Sequence, residues 1–181
     1  MEITELLRRR RALSKAGFKT LADVGFDRDS WISPYQTISN SKTGPLLIAY
    51  NWLDAPSVEL HRSILTKLGY LPGIPFNEVM DLALKYAGLS RPDIYVTQAF
   101  HLLPSTRSAS IPQHSVDQSF DQVTKYEIAE RPVIALGDAA ARACRRHGIA
   151  ATEVCHPSAR NHGTYENRAR IIAKALIEYK K

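Results

Sequence analysis

The run His156-Pro157-Ser158-Ala159-Arg160-Asn161 concentrates more chemistry than any other stretch of the chain. It offers an imidazole, a rigid proline, a small hydroxyl and a guanidinium within one short loop. Such a set suits a phosphodiester strand together with a leaving group that carries negative charge. Elsewhere polar residues follow apolar runs: Asn51 after Pro45-Leu46-Leu47-Ile48-Ala49-Tyr50, Gln98 after Asp93-Ile94-Tyr95-Val96-Thr97, and Gly137-Asp138 after Pro132-Val133-Ile134-Ala135-Leu136. Asn51 and Gln98 carry side-chain amides, each a donor and an acceptor at once. Asp54, just beyond Asn51, is the nearby carboxylate and has the chemistry of a general base. Cys144 and Cys155 form neither a CxxC pair nor a zinc quartet, so both read as small buried hydrophobes and no metal is expected.

Holding these tips in place calls for strands and helices in alternation. A fourth apolar run, Ala151-Thr152-Glu153-Val154-Cys155, leads into His156. The first and third runs are continuously apolar, as in strands covered on both faces. Helical spacing fills the gaps. Val58 to Leu68 places Leu60, Ile64, Leu65 and Leu68 on one side; Glu78 to Ala87 follows, with Gly88 as a cap. Val116 to Glu130 is stopped by Pro132, and Asp138 caps a helix that runs to His147 and ends at Gly148. The last helix starts near Thr164 and buries Tyr165, Ala169, Ile172, Leu176 and Tyr179. At the other end Ile3, Leu6, Leu7 and Leu13 give a helix closed by Gly17, with Arg8 to Arg11 largely outward. That arginine run reads as a solvated face, a DNA contact being the alternative. Residues 27–44 read as loop. The alternation predicts one α/β domain over residues 1–181: a three-layer α/β/α sandwich around a mostly parallel four-stranded sheet. Ligands of such sheets bind beyond the carboxyl ends of the strands, which would gather Asn51, Gln98, Gly137 and His156 along one edge.

Composition sets outer limits. A chain of 181 residues, 44% apolar, suits a single core. Its formal charge of +6 permits polyanion binding without requiring it. No apolar run approaches the roughly 20 residues that span a bilayer, and the basic N-terminus lacks a signal-peptide core, so the expectation is a soluble intracellular protein. A Gly-rich phosphate loop and a nucleophile elbow are both missing. An unrelated α/β enzyme acting on nucleotides or acyl groups, with His156 as general base, remains one reading.

The loop from His156 to Asn161 resembles the His-Pro-Ser loop of the uracil-DNA glycosylase superfamily, and HPSARN is similar to the wedge loop of its single-strand-selective monofunctional type. Gly73-Ile74-Pro75-Phe76 looks like the family's Gly-x-Pro-Phe segment, and Arg131 to Cys144 like its third strand and following helix, where Gly137 would let another chain approach closely. The first-strand motif reads AYNWLDAP, from Ala49 to Pro56, without the usual glycines and early proline. Gln98 stands where relatives carry asparagine, and the segment from Asn51 to Phe76 implies a helical insertion. The resemblance covers Pro45 to the C-terminus.

What it implies is a monofunctional enzyme that flips uracil out of DNA and hydrolyses the N-glycosidic bond to leave an abasic site. Asn51 would position water, with Asp54 as its rival; Phe76 would stack on the base, Gln98 would read its edge and Tyr50 would contact substrate. His156 would stabilise the departing uracil, Ser158 would touch a flanking phosphate, and Arg160 and Asn161 would fill the vacated stack or hold the opposite strand. His101 reads as a surface or core histidine beside this set, reach into the pocket being the alternative. No metal or organic cofactor is implied, and no lysine is placed for Schiff-base chemistry. The expected partner is uracil-containing DNA, single- or double-stranded, and not a membrane, bound by a monomer in the cytoplasm, or on the nucleoid in a bacterium. A scaffold that binds uracil or abasic DNA without efficient turnover is the alternative, motivated by the first motif and by Gln98.

Overall fold

Four parallel strands run through the middle of the molecule: β1 (Leu46–Asn51), β2 (Tyr95–Phe100), β3 (Val133–Leu136) and β4 (Thr152–Val154), in the order β2-β1-β3-β4. The computed structural model describes residues 2–179. Because β1 has a strand on either side and helices on both faces, Leu46, Leu47 and Ile48 are all 0% exposed. This double burial is why the run carries no polar alternation. The chain leaves β1 to build β2 on one side and returns to build β3 on the other. That reversal opens a crevice at the carboxyl ends of β1 and β3, where open α/β sheets take ligands.

Among the described residues the helices are α1 (Ile3–Ala12), α2 (Ala55–Leu60), α3 (Arg62–Leu68), α4 (Pro75–Ala87), α5 (Gln113–Ser119), α6 (Lys125–Ile128), α7 (Asp138–Arg146) and α8 (Tyr165–Glu178). One core joins the sheet to α2, α3, α4 and α8; the other joins it to α1, α5, α6 and α7. The architecture is therefore a three-layer α/β/α sandwich. Helix α4 starts at Pro75, three residues before the expected Glu78, because proline suits a first helical turn, and it ends on left-handed Gly88, the expected cap. In α8 the Thr164 hydroxyl caps the first turn by accepting from the Asn167 amide.

Several expectations need correction. The helix anticipated over residues 58–68 is two helices broken at His61, and Leu60 and Ile64 face solvent at 78% and 36% exposure, while Val58 and Leu65 are buried. Here the apolar spacing marks a surface stripe. The helix anticipated over residues 116–130 is interrupted by a π turn, Phe120–Thr124, whose extra residue per turn lets Phe120, Val123 and Thr124 all be buried. Helix α7 is capped by Gly137, and Asp138 is its first residue with no side-chain cap. Strand β2 starts at Tyr95, because Arg91–Asp93 form a 3-10 turn closed by Ser90, and it continues through Gln98 to Phe100. Helix α1 stops at Ala12, before Gly17.

The arginine run is not a free outer face. Arg10 is 5% exposed, pairs with Asp27 and lies 5.5 Å from the Trp31 ring centre. Arg8 and Arg9 pair with Glu5, and Arg11 pairs with Asp27 and Asp29. The stretch 27–44 likewise holds buried structure: Trp31 to Gln36 are all buried, and Pro34–Thr37 form a 3-10 turn.

Candidate functional site

Strand parity decides which side chains share a face. Leu47 and Ala49 of β1 lie in the core that also holds Phe76, and Asn51, two residues further, shares their parity at the strand tip, although its register partner Phe100 turns into the other core. Val96 of β2 lies in that core too, which puts Gln98 on the same face. In register Gln98 pairs with Ala49, and Phe100 is the residue opposite Asn51. Gln98 thus sits about 7 Å below the tip by strand rise. It is 2% exposed, and its Oε1 accepts from the Ser33 hydroxyl.

His156 follows β4 and is packed on several sides. The main-chain N–H of Ser158 donates to its Nδ1 at 3.1 Å. A ring nitrogen that receives a hydrogen cannot carry one, so the neutral imidazole holds its proton on Nε2. Burial lowers the pKa of His156 below the ordinary histidine value, and the charge of Arg168 adds to the effect. The ring is therefore neutral at pH 7 and keeps an uncommitted Nε2–H donor. Gly137, at the tip of β3, has φ +90°, and a Cβ built there would lie 2.6 Å from the Cβ of His156. Only glycine supplies both that backbone angle and that gap. The expected close approach at Gly137 is present, and the neighbouring chain is the histidine loop itself.

Phe76, on α4, brings its ring centre to 5.4 Å from that of His156 and 6.1 Å from that of Tyr35. An imidazole donor, an aromatic face and the Gln98 amide therefore occupy one side of the sheet near its carboxyl edge, with Asn51 at the adjoining tip of β1. Phe76 is itself only 8% exposed, because Tyr35 covers it. The Tyr35 phenol is pushed up by burial, an effect tempered by the charges of Arg91 and Arg107, so it stays protonated.

The remaining anticipated residues fall elsewhere. Tyr50 lies on the opposite face of the sheet, packed on the second core, with its hydroxyl donating to the carbonyl of Ile111 at 3.4 Å. Asp54 is 5% exposed and accepts from the Ser57 amide at 2.7 Å, as the N-cap of α2. His101 is a core histidine that does not reach the site: it is buried and meets Thr124 and Glu127 through Nε2 on the far face. Ser158 is half-buried, whereas Arg160 and Asn161 are exposed on the lip beyond it. Cys144 and Cys155 are buried and free, and burial pushes the Cys144 thiol up to about 11. A cavity of about 430 Å³ beside the start of α2, lined by Phe18, Ala55, Pro56, Leu103 and Ser105 among others, lies apart from His156 and Phe76.

Three members of the site escaped the sequence reading. Ser33 and Tyr35 sit in a stretch whose polarity suggested loop; the signal there was an aromatic directly after Ser33-Pro34, a helix-start pattern. Arg168 was legible as a lone charge at the buried spacing of Tyr165, Ala169 and Ile172. Among the described residues no group of three His, Cys, Asp or Glu is placed to hold a metal ion, and no helix is long and apolar enough to cross a membrane. No protein-family model and no curated protein matches the chain.

Proposed function

We propose that the chain is a monofunctional DNA glycosylase that removes uracil and leaves an abasic site. The observation that carries this reading is the neutral imidazole of His156, with Nε2–H uncommitted, packed on the Phe76 ring at the carboxyl edge of the sheet. As the bond between C1′ and uracil N1 breaks, negative charge spreads to the uracil oxygens. A fixed Nε2–H donor stabilises that charge without transferring its proton. The sugar gains oxocarbenium character, so the attacking water needs placement more than a strong base, and the Asn51 amide supplies placement. Water oxygen adds to C1′, one of its protons passes to solvent, and uracil leaves as the anion that solvent protonates. Asp54 is spent on capping α2, which favours Asn51 over its rival. Phe76 stacks on the base, and Gln98 meets the N3–H and O4 edge with a side-chain amide that both donates and accepts, the second lone pair of Oε1 remaining beside the bond from Ser33.

Reaching Gln98 requires Tyr35 and Phe76 to separate, since neither Gln98 nor Phe76 is more than 8% exposed. That closed cover favours one second reading, a scaffold that binds uracil or abasic DNA without efficient turnover. The test is alkaline cleavage of a labelled uracil-containing oligonucleotide after incubation with pure protein, beside a thymine control. Cleavage confined to the uracil strand supports the glycosylase. A gel shift without cleavage supports the scaffold, and neither response removes both.

A further inference from the structure

Arg168 carries a charge into the core of the molecule and finds no carboxylate there. It is 3% exposed on α8. Its Nη1 donates to the Pro157 carbonyl at 2.8 Å and its Nε to the Thr164 carbonyl at 3.2 Å, and its guanidinium lies 4.7 Å from the Tyr165 ring centre. The other two arginines buried to this degree, Arg10 and Arg91, each pair with an aspartate, Asp27 and Asp81 respectively. Arg168 pairs with no carboxylate among the described residues. A buried cation matched only by neutral carbonyls and a ring face is costly, so its positive charge is unspent in the free protein.

Its two hydrogen bonds fall at opposite ends of the segment from Pro157 to Thr164. The Nη1 bond thus ties the Pro157 end of the histidine loop to α8, the Nε bond fixes the guanidinium against the helix's own N-cap carbonyl, and Gly137 and Phe76 hold the imidazole from the other sides. We propose that Arg168 is a positioning residue of this site: it fixes the loop that orients His156 and supplies the standing positive charge that an anionic leaving group meets. The proposal rests on the glycosylase reading for the identity of that anion, and on the geometry alone for the hold on His156. Among the described residues Arg168 is the charged group that bears on His156. The faces of Gly137 and Phe76 carry no charge, and Tyr35 behind Phe76 is protonated. Burial is the larger cause of the imidazole's neutral, donor-ready form, and the arginine's charge adds to it.

Two variants separate placement from charge. Arg168→Lys keeps the charge but cannot span both carbonyls; Arg168→Met removes charge and bridge together. Both are followed by circular dichroism, by nitrogen-resolved NMR of the His156 ring from acidic to neutral pH, and by single-turnover excision with DNA affinity measured alongside. In Arg168→Met the His156 titration should rise toward the ordinary value near 6.5. Excision should fall by roughly 10-fold or more with DNA affinity changed by less than about threefold, the scale expected for a lost electrostatic contribution to the transition state. In Arg168→Lys the titration should stay low while the single Nε2–H tautomer gives way to a mixture. If Arg168→Met does not fold, Arg168→Lys decides through that tautomer signal. An unchanged His156 spectrum in the folded variants, with only melting temperature lowered, overturns the proposal. If the unmodified protein excises no uracil, the functional reading fails while the NMR still decides what Arg168 does to His156.

Discussion

His156 has one ring nitrogen occupied by the Ser158 amide and the other uncommitted, so its removal subtracts a donor from the site. His156→Ala should slow single-turnover excision by about 10- to 1000-fold, the range for loss of one anion-stabilising donor. Full activity in that variant would take His156 out of the mechanism. The pH dependence follows from the direction of the shift: burial and then Arg168 lower the ring's pKa, so the neutral form persists below pH 6.5. Excision should be level through neutrality and decline only as the pH drops past the lowered value. A decline already complete at pH 6.5 would contradict the assignment. At this scale the loop from His156 to Asn161 was legible, because its residue types are adjacent in the chain. Ser33 and Tyr35 were not, since each acquires meaning from a partner dozens of positions away, and Arg168 showed only as a lone charge at a buried spacing, its carbonyl partner being one that no sequence displays.

Elements place these groups, and two tests belong to them. Gly137→Ala forces a Cβ to within 2.6 Å of the His156 Cβ, at a backbone angle of +90° that alanine rarely adopts. The strain alone costs of order 1–3 kcal/mol, and the ring must shift as well. Activity should therefore fall further than the loss of stability accounts for, as measured by excision under conditions where circular dichroism shows the variant folded. Asp54→Ala has the opposite profile: losing the α2 cap should cost about 1 kcal/mol and lower the melting temperature, while folded protein excises uracil normally. A rate deficit like that of Asn51→Ala would return the water-positioning role to Asp54. Strands β1 and β3 were readable because double burial writes itself as an unbroken apolar run. The break at His61 was not, since Leu60 and Ile64 imitate a core stripe while facing water. The tip of β2 was placed too early because a strand that passes through a buried Gln98 gives no polar signal for its true end at Phe100.

Across the whole molecule the two cores are stitched unequally. On the face away from His156, the buried Glu127 carboxylate accepts from Gln36, Tyr95 and Thr97 and lies 3.5 Å from His101, joining the 3-10 turn, β2 and α6. Burial raises its pKa, but hydrogen bonds from His101, Thr97 and Tyr95 together outweigh that and leave it below the usual carboxylate value. A carboxylate depressed in the folded state contributes stability above its unfolded pKa and loses it as pH falls through the folded one. The urea midpoint should therefore drop on acidification below about pH 4.3, and Glu127→Gln should flatten that dependence. An unaltered acid profile in the variant would assign the carboxylate no such role. Charge is also unevenly committed: Arg8, Arg9, Arg10 and Arg11 are engaged with Glu5, Asp27 and Asp29, whereas Arg160 sits exposed on the lip beside His156. Arg160→Ala should reduce the salt dependence of DNA binding by about one counterion, and Arg8→Ala should leave it unchanged. Arg168 holds the histidine loop through the main-chain oxygen of Pro157, a group that every amino acid presents alike. Residues 159 to 162 are consequently free to be exchanged as an interchangeable fingertip. A library randomised there should yield folded proteins at high frequency, with altered taste for the nucleic acid and the same grip behind it.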